Sequence, residues 1–175
     1  MKKNLLIVAM LMFCAVVVMS CSKKDDDSNS SSEPKENYFK IGSRTYGVEY
    51  LTLIYYGAEN GVHDYRIELC SEEDEASMLV NFLIDSKTIP SVSTTYVYSN
   101  SEEAGTMYGC HAIIYTDDGG RIEHEGDDLD YGSVTISRNG DILEIDVSAK
   151  TPYPDNTVMS GYYKGNIGSY KDHSE

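Results

Sequence analysis

The side chains best suited to chemistry are carboxylates, which crowd the segment between residues 117 and 130. They are Asp117, Asp118, Glu123, Glu125, Asp127, Asp128 and Asp130. Two carboxylates about 5 to 9.5 Å apart can act as general acid and base, and carboxylate oxygens also suit Ca²⁺. Because the calcium-loop pattern D-x-[DN]-x-[DN]-G is absent from the sequence, the segment is interpreted as solvated acidic loops. Asp127, Asp128 and Asp130 are the calcium candidates, and no resident metal or cofactor is expected.

Two histidines, His111 and His124, border this acidic segment. An Asp118-Gly119 turn would place Ile113 opposite His124 and both imidazoles on one sheet face, where they could hold a metal ion. The sequence offers no evident third ligand, so hydrogen-bonded strand histidines are the alternative. The serine elbow G-x-S-x-G and the glycine-rich phosphate loops are absent from the sequence. We therefore expect a binding protein rather than an enzyme.

Tyrosine is the dominant aromatic residue, with 15 copies in a chain that has no tryptophan. Its ring is apolar and its tip is polar, which suits surfaces that bind glycans or proteins. The tyrosines of interest are Tyr55, Tyr56, Tyr96, Tyr98, Tyr108, Tyr153, Tyr162 and Tyr163. Adjacent tyrosines of one strand point to opposite faces, so most are expected in the core or in cross-strand pairs. The candidates for a ligand surface are Tyr96, Tyr98, Tyr162 and Tyr163.

The cysteines divide by their position along the chain. Cys14 lies in an apolar N-terminal run and Cys21 follows that run, which leaves Cys70 and Cys110 for the folded part. In an extracytoplasmic compartment these two could form a disulfide. The alternative is that both are small buried hydrophobic residues on strands. A zinc or redox site is not expected, because no two cysteines have C-x-x-C spacing.

Residues 1–20 have the architecture of a secretory signal, with Lys2 and Lys3 ahead of an apolar run over residues 5–19. That run is shorter than the roughly 20 apolar residues that cross a bilayer. Residues 18–21, Val-Met-Ser-Cys, resemble a lipobox, in which the cysteine thiol receives diacylglycerol. The resemblance implies that the mature chain begins at a lipidated Cys21 and is held on a membrane by its acyl chains.

Residues 21–37 are predicted to be a disordered acidic tether, because residues 22–36 contain no aliphatic or aromatic side chain. The aspartates that follow Lys23 and Lys24 resemble the export signal of Bacteroidetes surface lipoproteins. This resemblance implies the outer face of the outer membrane, with a periplasm-facing position as the alternative. The formal charge of −15 argues against nucleic acid as a partner, because phosphate binding needs a surface of lysine and arginine.

Residues 38–175 are expected to form a single antiparallel β domain. Short runs rich in β-branched and aromatic residues alternate with turn dipeptides, and no long 3.6-residue period occurs. The predicted strands cover residues 38–41, 45–56, 63–70, 94–98, 106–116, 121–124, 129–137, 142–147 and 158–164. Residues 71–85 are ambiguous, since Ser71 and Asp74 imitate a helix capping box ahead of an apolar run. A buried strand is preferred there.

The strongest structural prediction is a hairpin around Asn139-Gly140. This dipeptide is typical of a two-residue type I′ loop, in which both residues have positive φ. Such a turn would place Ile136 opposite Leu143. With that register one face of the hairpin is apolar and the other is polar, so the turn and the side-chain alternation agree.

Sequential hairpins of this kind fit two all-β architectures. An antiparallel β-sandwich of jelly-roll-like form is favoured, and a lipocalin-like (calycin) up-and-down β-barrel is the alternative. The domain also resembles small, mostly uncharacterised Bacteroidetes-type surface lipoproteins, through its signal and tether and through residues 132–140, 143–145 and 160–165. The resemblance implies an all-β domain and supplies no catalytic residue.

Two functional hypotheses follow from the anchor and the β-rich, tyrosine-rich domain. The first is a cell-surface binding or adhesion module for glycans or a host protein. The second is a calycin-like carrier that holds a small apolar ligand inside a closed barrel. The two differ in where the ligand lies, since the first needs an exposed surface and the second needs an interior cavity.

Overall fold

Eleven β-strands account for most of the described chain in the computed structural model, which describes residues 36–72, 75–101, 103–124, 126–152 and 154–174. The strands are β1 (Tyr38–Ile41), β2 (Arg44–Glu59), β3 (Val62–Ser71), β4 (Ala76–Ile84), β5 (Thr94–Tyr98), β6 (Thr106–Tyr115), β7 (Arg121–His124), β8 (Tyr131–Asn139), β9 (Ile142–Lys150), β10 (Val158–Asn166) and β11 (Ser169–Asp172). The predicted lipobox, Cys21 and most of the tether lie outside the described residues, as do Asp74, Glu125 and Tyr153. Among the described residues, no helix has the length and hydropathy to cross a membrane.

Nine of these strands close into a barrel. The order is β1-β10-β9-β8-β5-β6-β4-β3-β2, and β1 also pairs with β2. The short strand β1 makes this closure, because Phe39 lies opposite Gly161 on one side and opposite Tyr46 on the other. The all-β prediction and its barrel alternative are therefore confirmed. The favoured two-layer sandwich is not what forms, because pairing on both edges of β1 joins nine strands into one closed sheet.

The barrel departs from simple up-and-down order at β5. This strand lies between β6 and β8, and it runs parallel to β6 with only two residue pairs. The chain from β4 to β5 therefore passes across one end of the barrel, where Ile89 is buried and the Tyr65 hydroxyl donates to the Lys87 carbonyl at 2.7 Å. Beyond the short β5, residues 126–129 pack against β6, where the Cys110 amide donates to the Gly126 carbonyl at 3.0 Å.

Side chains fill the interior of the barrel. A column of stacked and tilted rings runs from Tyr55 to Tyr65 (centroids 4.9 Å apart), to Phe82 (5.7 Å) and to Tyr96 (5.6 Å). Aliphatic and sulfur-containing side chains with at most 1% exposure complete the packing: Leu51, Leu53, Ile67, Leu69, Met78, Val80, Met107, Val134, Ile136, Leu143, Ile145, Val147 and Met159. Burial on this scale is the main source of the fold's stability.

The predicted Asn139-Gly140 hairpin forms, but its register is wrong by two residues. Ile136 lies opposite Ile145, not Leu143, and the loop is Gly140-Asp141. Only Gly140 of the loop has positive φ (61°), which is a type II′ arrangement, and the Arg138 Nε donates to the Gly140 carbonyl at 2.8 Å. A shift of two keeps every side chain on its predicted face, so the apolar and polar faces are unchanged.

An Asn-Gly type I′ loop does occur, at Asn60-Gly61 between β2 and β3. Both residues have positive φ (51° and 81°), and Glu59 lies opposite Val62. The preference for a strand over residues 76–84 is also confirmed, because β4 pairs with β3 and β6 along its whole length. Strand β11 was not predicted; it pairs in parallel with residues 52–55 of β2.

Candidate functional site

A cleft of about 780 Å³ lies on the outer surface of the barrel, beside the β2–β3 loop. Its volume falls in the range of small-molecule sites. The lining residues are Tyr56, Gly57, Ala58, Glu59, Asn60, Val62, Asp64, Leu83, Ser99, Asn100, Ser101, Tyr108 and Asp127. The strand residues among them alternate with core residues such as Tyr65, Phe82 and Met107, so the cleft is outside the hydrophobic core.

Tyr56 lies in the cleft at a β-bulge in β2. Tyr55 lies opposite Tyr65 and Gly57 lies opposite Asp64, which leaves Tyr56 as the extra residue. Gly57 has a φ of 112°, a conformation that side chains other than glycine rarely adopt. Tyr55 is in the core and the next ring lies on the outer surface, as alternation along a strand requires. The bulge disrupts the ladder locally beside that ring.

The floor of the cleft contains a hydrogen-bonded pair, Asp64 and Tyr108. The Tyr108 hydroxyl donates to the Asp64 Oδ1 at 2.8 Å. Burial raises the pKa of the Asp64 carboxyl above its usual value, although the bond from Tyr108 and the charge of Arg66 act in the opposite direction. Burial and the neighbouring carboxylate also raise the pKa of Tyr108. A half-buried carboxyl with a perturbed pKa in a cleft is a common mark of a functional site.

Arg66 supports this floor from the side. Its guanidinium lies 5.3 Å from the centre of the Tyr56 ring, and its Nε donates to the Asn81 Oδ1 at 2.7 Å. Asn81 is itself only 2% exposed. Gly109 makes room for this amide, since a Cβ at that position would lie 3.0 Å from the Asn81 Nδ2. The cation is therefore held in place against the ring.

The opposite wall is the loop after β5 together with Asp127. The Tyr98 hydroxyl donates to the Asp127 carbonyl at 3.0 Å and to the Asn100 side-chain oxygen. The Ser99 Oγ accepts from the Ser101 amide at 3.1 Å, which closes a tight turn. The Asp127 carboxylate lies 2.9 Å from the His111 Nε2. These contacts fix the polar atoms that face the cleft.

The four tyrosines predicted as a ligand surface are not brought together. Tyr96 is 5% exposed and belongs to the aromatic column, while Tyr163 is buried and donates to the Asn166 carbonyl. Tyr162 is 8% exposed and its hydroxyl donates to Glu144 at 2.9 Å. Of the four, Tyr98 alone contacts residues that line the cleft. The aromatic residues that do line it are Tyr56 and Tyr108.

The calcium candidates have separate partners. Asp127 contacts His111, the Asp130 carboxylate lies 2.7 Å from the Lys150 Nζ, and Asp128 lies 3.4 Å from the Tyr98 hydroxyl. Among the described residues, no three histidine, cysteine, aspartate or glutamate side chains could hold a metal ion together.

The predicted pairing of the histidines is also wrong. His124 lies opposite Ala112, not Ile113, so it is on the opposite sheet face from His111. The turn between β6 and β7 is one residue longer than expected, because the Thr116 amide donates to the Gly120 carbonyl around a loop centred on Asp118. His124 instead contacts Asp155, at 3.2 Å.

The structure does not join Cys70 to Cys110. The Cys110 side chain is in the core, where its Sγ lies 4.0 Å from the Met159 Sδ, and burial raises its pKa to about 12. Cys70 lies opposite Ser77 and alternates with the core residue Leu69, so it is on the other face of the sheet. A disulfide cannot pass through the wall of the barrel.

The cleft combines two aromatic rings, three carboxylates, two amides and several hydroxyl groups. Such a set can bind a polar ligand by stacking and hydrogen bonding. Sequence reasoning named Tyr56 and Tyr108 only as tyrosines among others and did not single out Asp64. The signals that could have pointed here are Gly57, directly after a tyrosine pair, and the nearby Asn60-Gly61 dipeptide. Comparison of the chain with protein-family models, with curated proteins and with solved structures finds no match.

Proposed function

We propose that this chain is a membrane-anchored, cell-surface binding module whose outer cleft takes a polar, hydroxyl-rich ligand, a glycan in the first instance. The observation that carries the proposal is the pair formed by the bulged Tyr56 ring and the half-buried Asp64 beside it. A ring that packs against a sugar face, next to acceptors for its hydroxyl groups, is a general way to bind carbohydrate.

The barrel interior gives less support to the alternative, a carrier of a small apolar ligand. Tyr65, Phe82 and Tyr96 occupy the space along the barrel that a carrier of the calycin type would leave for its ligand. The outer cleft, by contrast, has a volume of about 780 Å³ and is lined by polar side chains. We therefore place the ligand outside the barrel.

Substituting Tyr56 with alanine should weaken glycan binding at least about tenfold, since that corresponds to about 1.4 kcal/mol, the size of a good aromatic contact. A glycan array with the purified full-length chain would identify a ligand, and calorimetric titration would then compare variants. Tyr131→Ala is the matched control, because Tyr131 is 47% exposed and does not line the cleft. Equal loss in both variants would place the ligand elsewhere, and an array with no binding would remove the glycan proposal.

The anchor is proposed from residues 18–21, and it has its own test. Cys21→Ser should move the protein from the membrane fraction to the soluble fraction and abolish incorporation of labelled fatty acid, because the acyl chains hold the protein on the bilayer. Cys14→Ser, within the apolar run that precedes Cys21, should leave both readouts unchanged. Labelling that persists in Cys21→Ser would show that another residue is modified.

A further inference from the structure

The charged side chains that line the cleft all have the same sign. Among the described residues they are Glu59, Asp64 and Asp127, and no lysine, arginine or histidine lines the cleft with them. The nearby Arg66 already bonds to Asn81 and covers the Tyr56 ring. The chain as a whole carries a formal charge of −15, so the surroundings add to the same negative potential.

The Tyr108 hydroxyl on the floor of the cleft is oriented as an acceptor, because its hydrogen goes to Asp64. Its oxygen lone pairs therefore remain for a ligand, together with the Oδ2 of Asp64. A ligand that binds this part of the cleft must donate hydrogen bonds to it.

Two further features favour a neutral ligand over a cationic one. Arg66 already lies over one face of the Tyr56 ring, the position that a ligand cation would take in a cation–π contact. The positive charge of Arg66 also stabilises the ionised forms of Asp64 and Tyr108. A second cation, supplied by a ligand, would therefore add less stabilisation there. Sugar hydroxyl groups do not require a free cation position, because they can donate hydrogen bonds to the remaining lone pairs of Tyr108 and Asp64.

We infer that the cleft selects uncharged oligosaccharides and rejects acidic ones, with Asp64 as the residue that determines this specificity. The inference rests on the proposed glycan function. An anionic sugar would bring its carboxylate or sulfate beside a half-buried carboxylate, and like charges placed together at an interface are strongly unfavourable. A neutral sugar at the same position donates to that carboxylate instead.

The test compares matched glycans that differ only in charge. The purified full-length chain is titrated with a neutral oligosaccharide and with the same oligosaccharide carrying a terminal sialic acid or a sulfate. We expect the neutral form to bind at least about tenfold more tightly. Asp64→Asn keeps an acceptor for Tyr108 and removes the charge, so it should lower the ratio of the two affinities severalfold, while Glu59 and Asp127 keep that ratio above one. Glu49→Gln removes an exposed charge outside the cleft and should leave the ratio unchanged.

Other outcomes separate this inference from the proposed function. Equal or tighter binding of the acidic glycan, or an unchanged ratio in Asp64→Asn, would overturn the inference while glycan binding itself stands. Preference for a lysine-rich peptide over the neutral glycan would overturn it as well, in favour of a cationic ligand. Failure of both glycans to bind would instead remove the proposed function, and the inference with it.

Discussion

Replacing Phe82 with alanine should lower the free energy of unfolding by about 3 to 5 kcal/mol, which is the usual cost of deleting a buried aromatic ring. Phe82 is fully buried, and its ring packs between those of Tyr65 and Tyr96 at centroid distances of 5.7 and 5.6 Å. The alanine variant would leave a cavity in the middle of the aromatic column. Denaturant unfolding followed by circular dichroism would measure the loss.

The control for Phe82 is an exposed aromatic residue of a neighbouring strand. Tyr115→Ala, at a position 49% exposed, should cost about 1 kcal/mol or less. The comparison also bears on the carrier alternative. A barrel with a ligand-sized interior would tolerate the shorter side chain at position 82. If Phe82→Ala and Tyr115→Ala lowered the free energy of unfolding by the same amount, that result would contradict a filled core.

Replacing Gly126 with alanine should also destabilise the fold, by about 3 kcal/mol, at the upper end of what overpacking costs. A Cβ at Gly126 would lie 1.7 Å from the carbonyl oxygen of Cys110, and a backbone atom cannot move aside as a flexible side chain can. The substitution would separate residues 126–129 from β6, which they cover where β5 ends. Thermal or denaturant unfolding would record the effect.

Gly47 provides the matched glycine. It lies in β2 with ordinary φ, and a Cβ there meets no other atom within 4 Å. Gly47→Ala should change the free energy of unfolding by no more than about 0.5 kcal/mol, with a slight gain expected because alanine restricts the unfolded chain. A Gly126→Ala variant as stable as Gly47→Ala would show that residues 126–129 do not pack against β6 in the way described.

The strands could be predicted from local patterns, and the barrel could not. Tyr65, Ile67 and Leu69 alternate with polar residues, and such alternation identifies a strand and its buried face whatever the partner is. Closure depends on Tyr38 lying opposite Tyr162, at the far end of the chain. Local sequence carries no signal for a pairing between such distant residues, so the pattern was compatible with both architectures and the sandwich was wrongly favoured.

The errors in register have a shared cause. A turn dipeptide identifies a hairpin, but its glycine can occupy either central position of the loop or the position after it. At Gly140 and at Gly119 the glycine is the residue with positive φ, and in each case the loop is displaced from the expected position. The resulting shift of two residues in strand register preserved the faces of the first hairpin, whereas the shift of one residue in the second put His124 on the other face.

The cleft was beyond sequence reasoning because no single segment forms it. Tyr56 lies at a bulge in β2, Asp64 and Tyr108 come from β3 and β6, and Asn100 follows β5. Only the pairing of β4 between β3 and β6 places the hydroxyl of Tyr108 beside Asp64. The tyrosines that sequence reasoning preferred instead lie in or against the core, where tyrosine is often found with its hydroxyl bonded.

The most direct test of the account is an NMR titration of the isotopically labelled full-length chain with a neutral oligosaccharide, read from backbone amide shifts. The account predicts that shifts concentrate in residues 56–62 and 99–101, with Asp64 and Tyr108 among the largest, and that Tyr56→Ala weakens them. Shifts confined to inward-facing residues such as Ile67 and Ile136 would contradict it, because they would place the ligand inside the barrel.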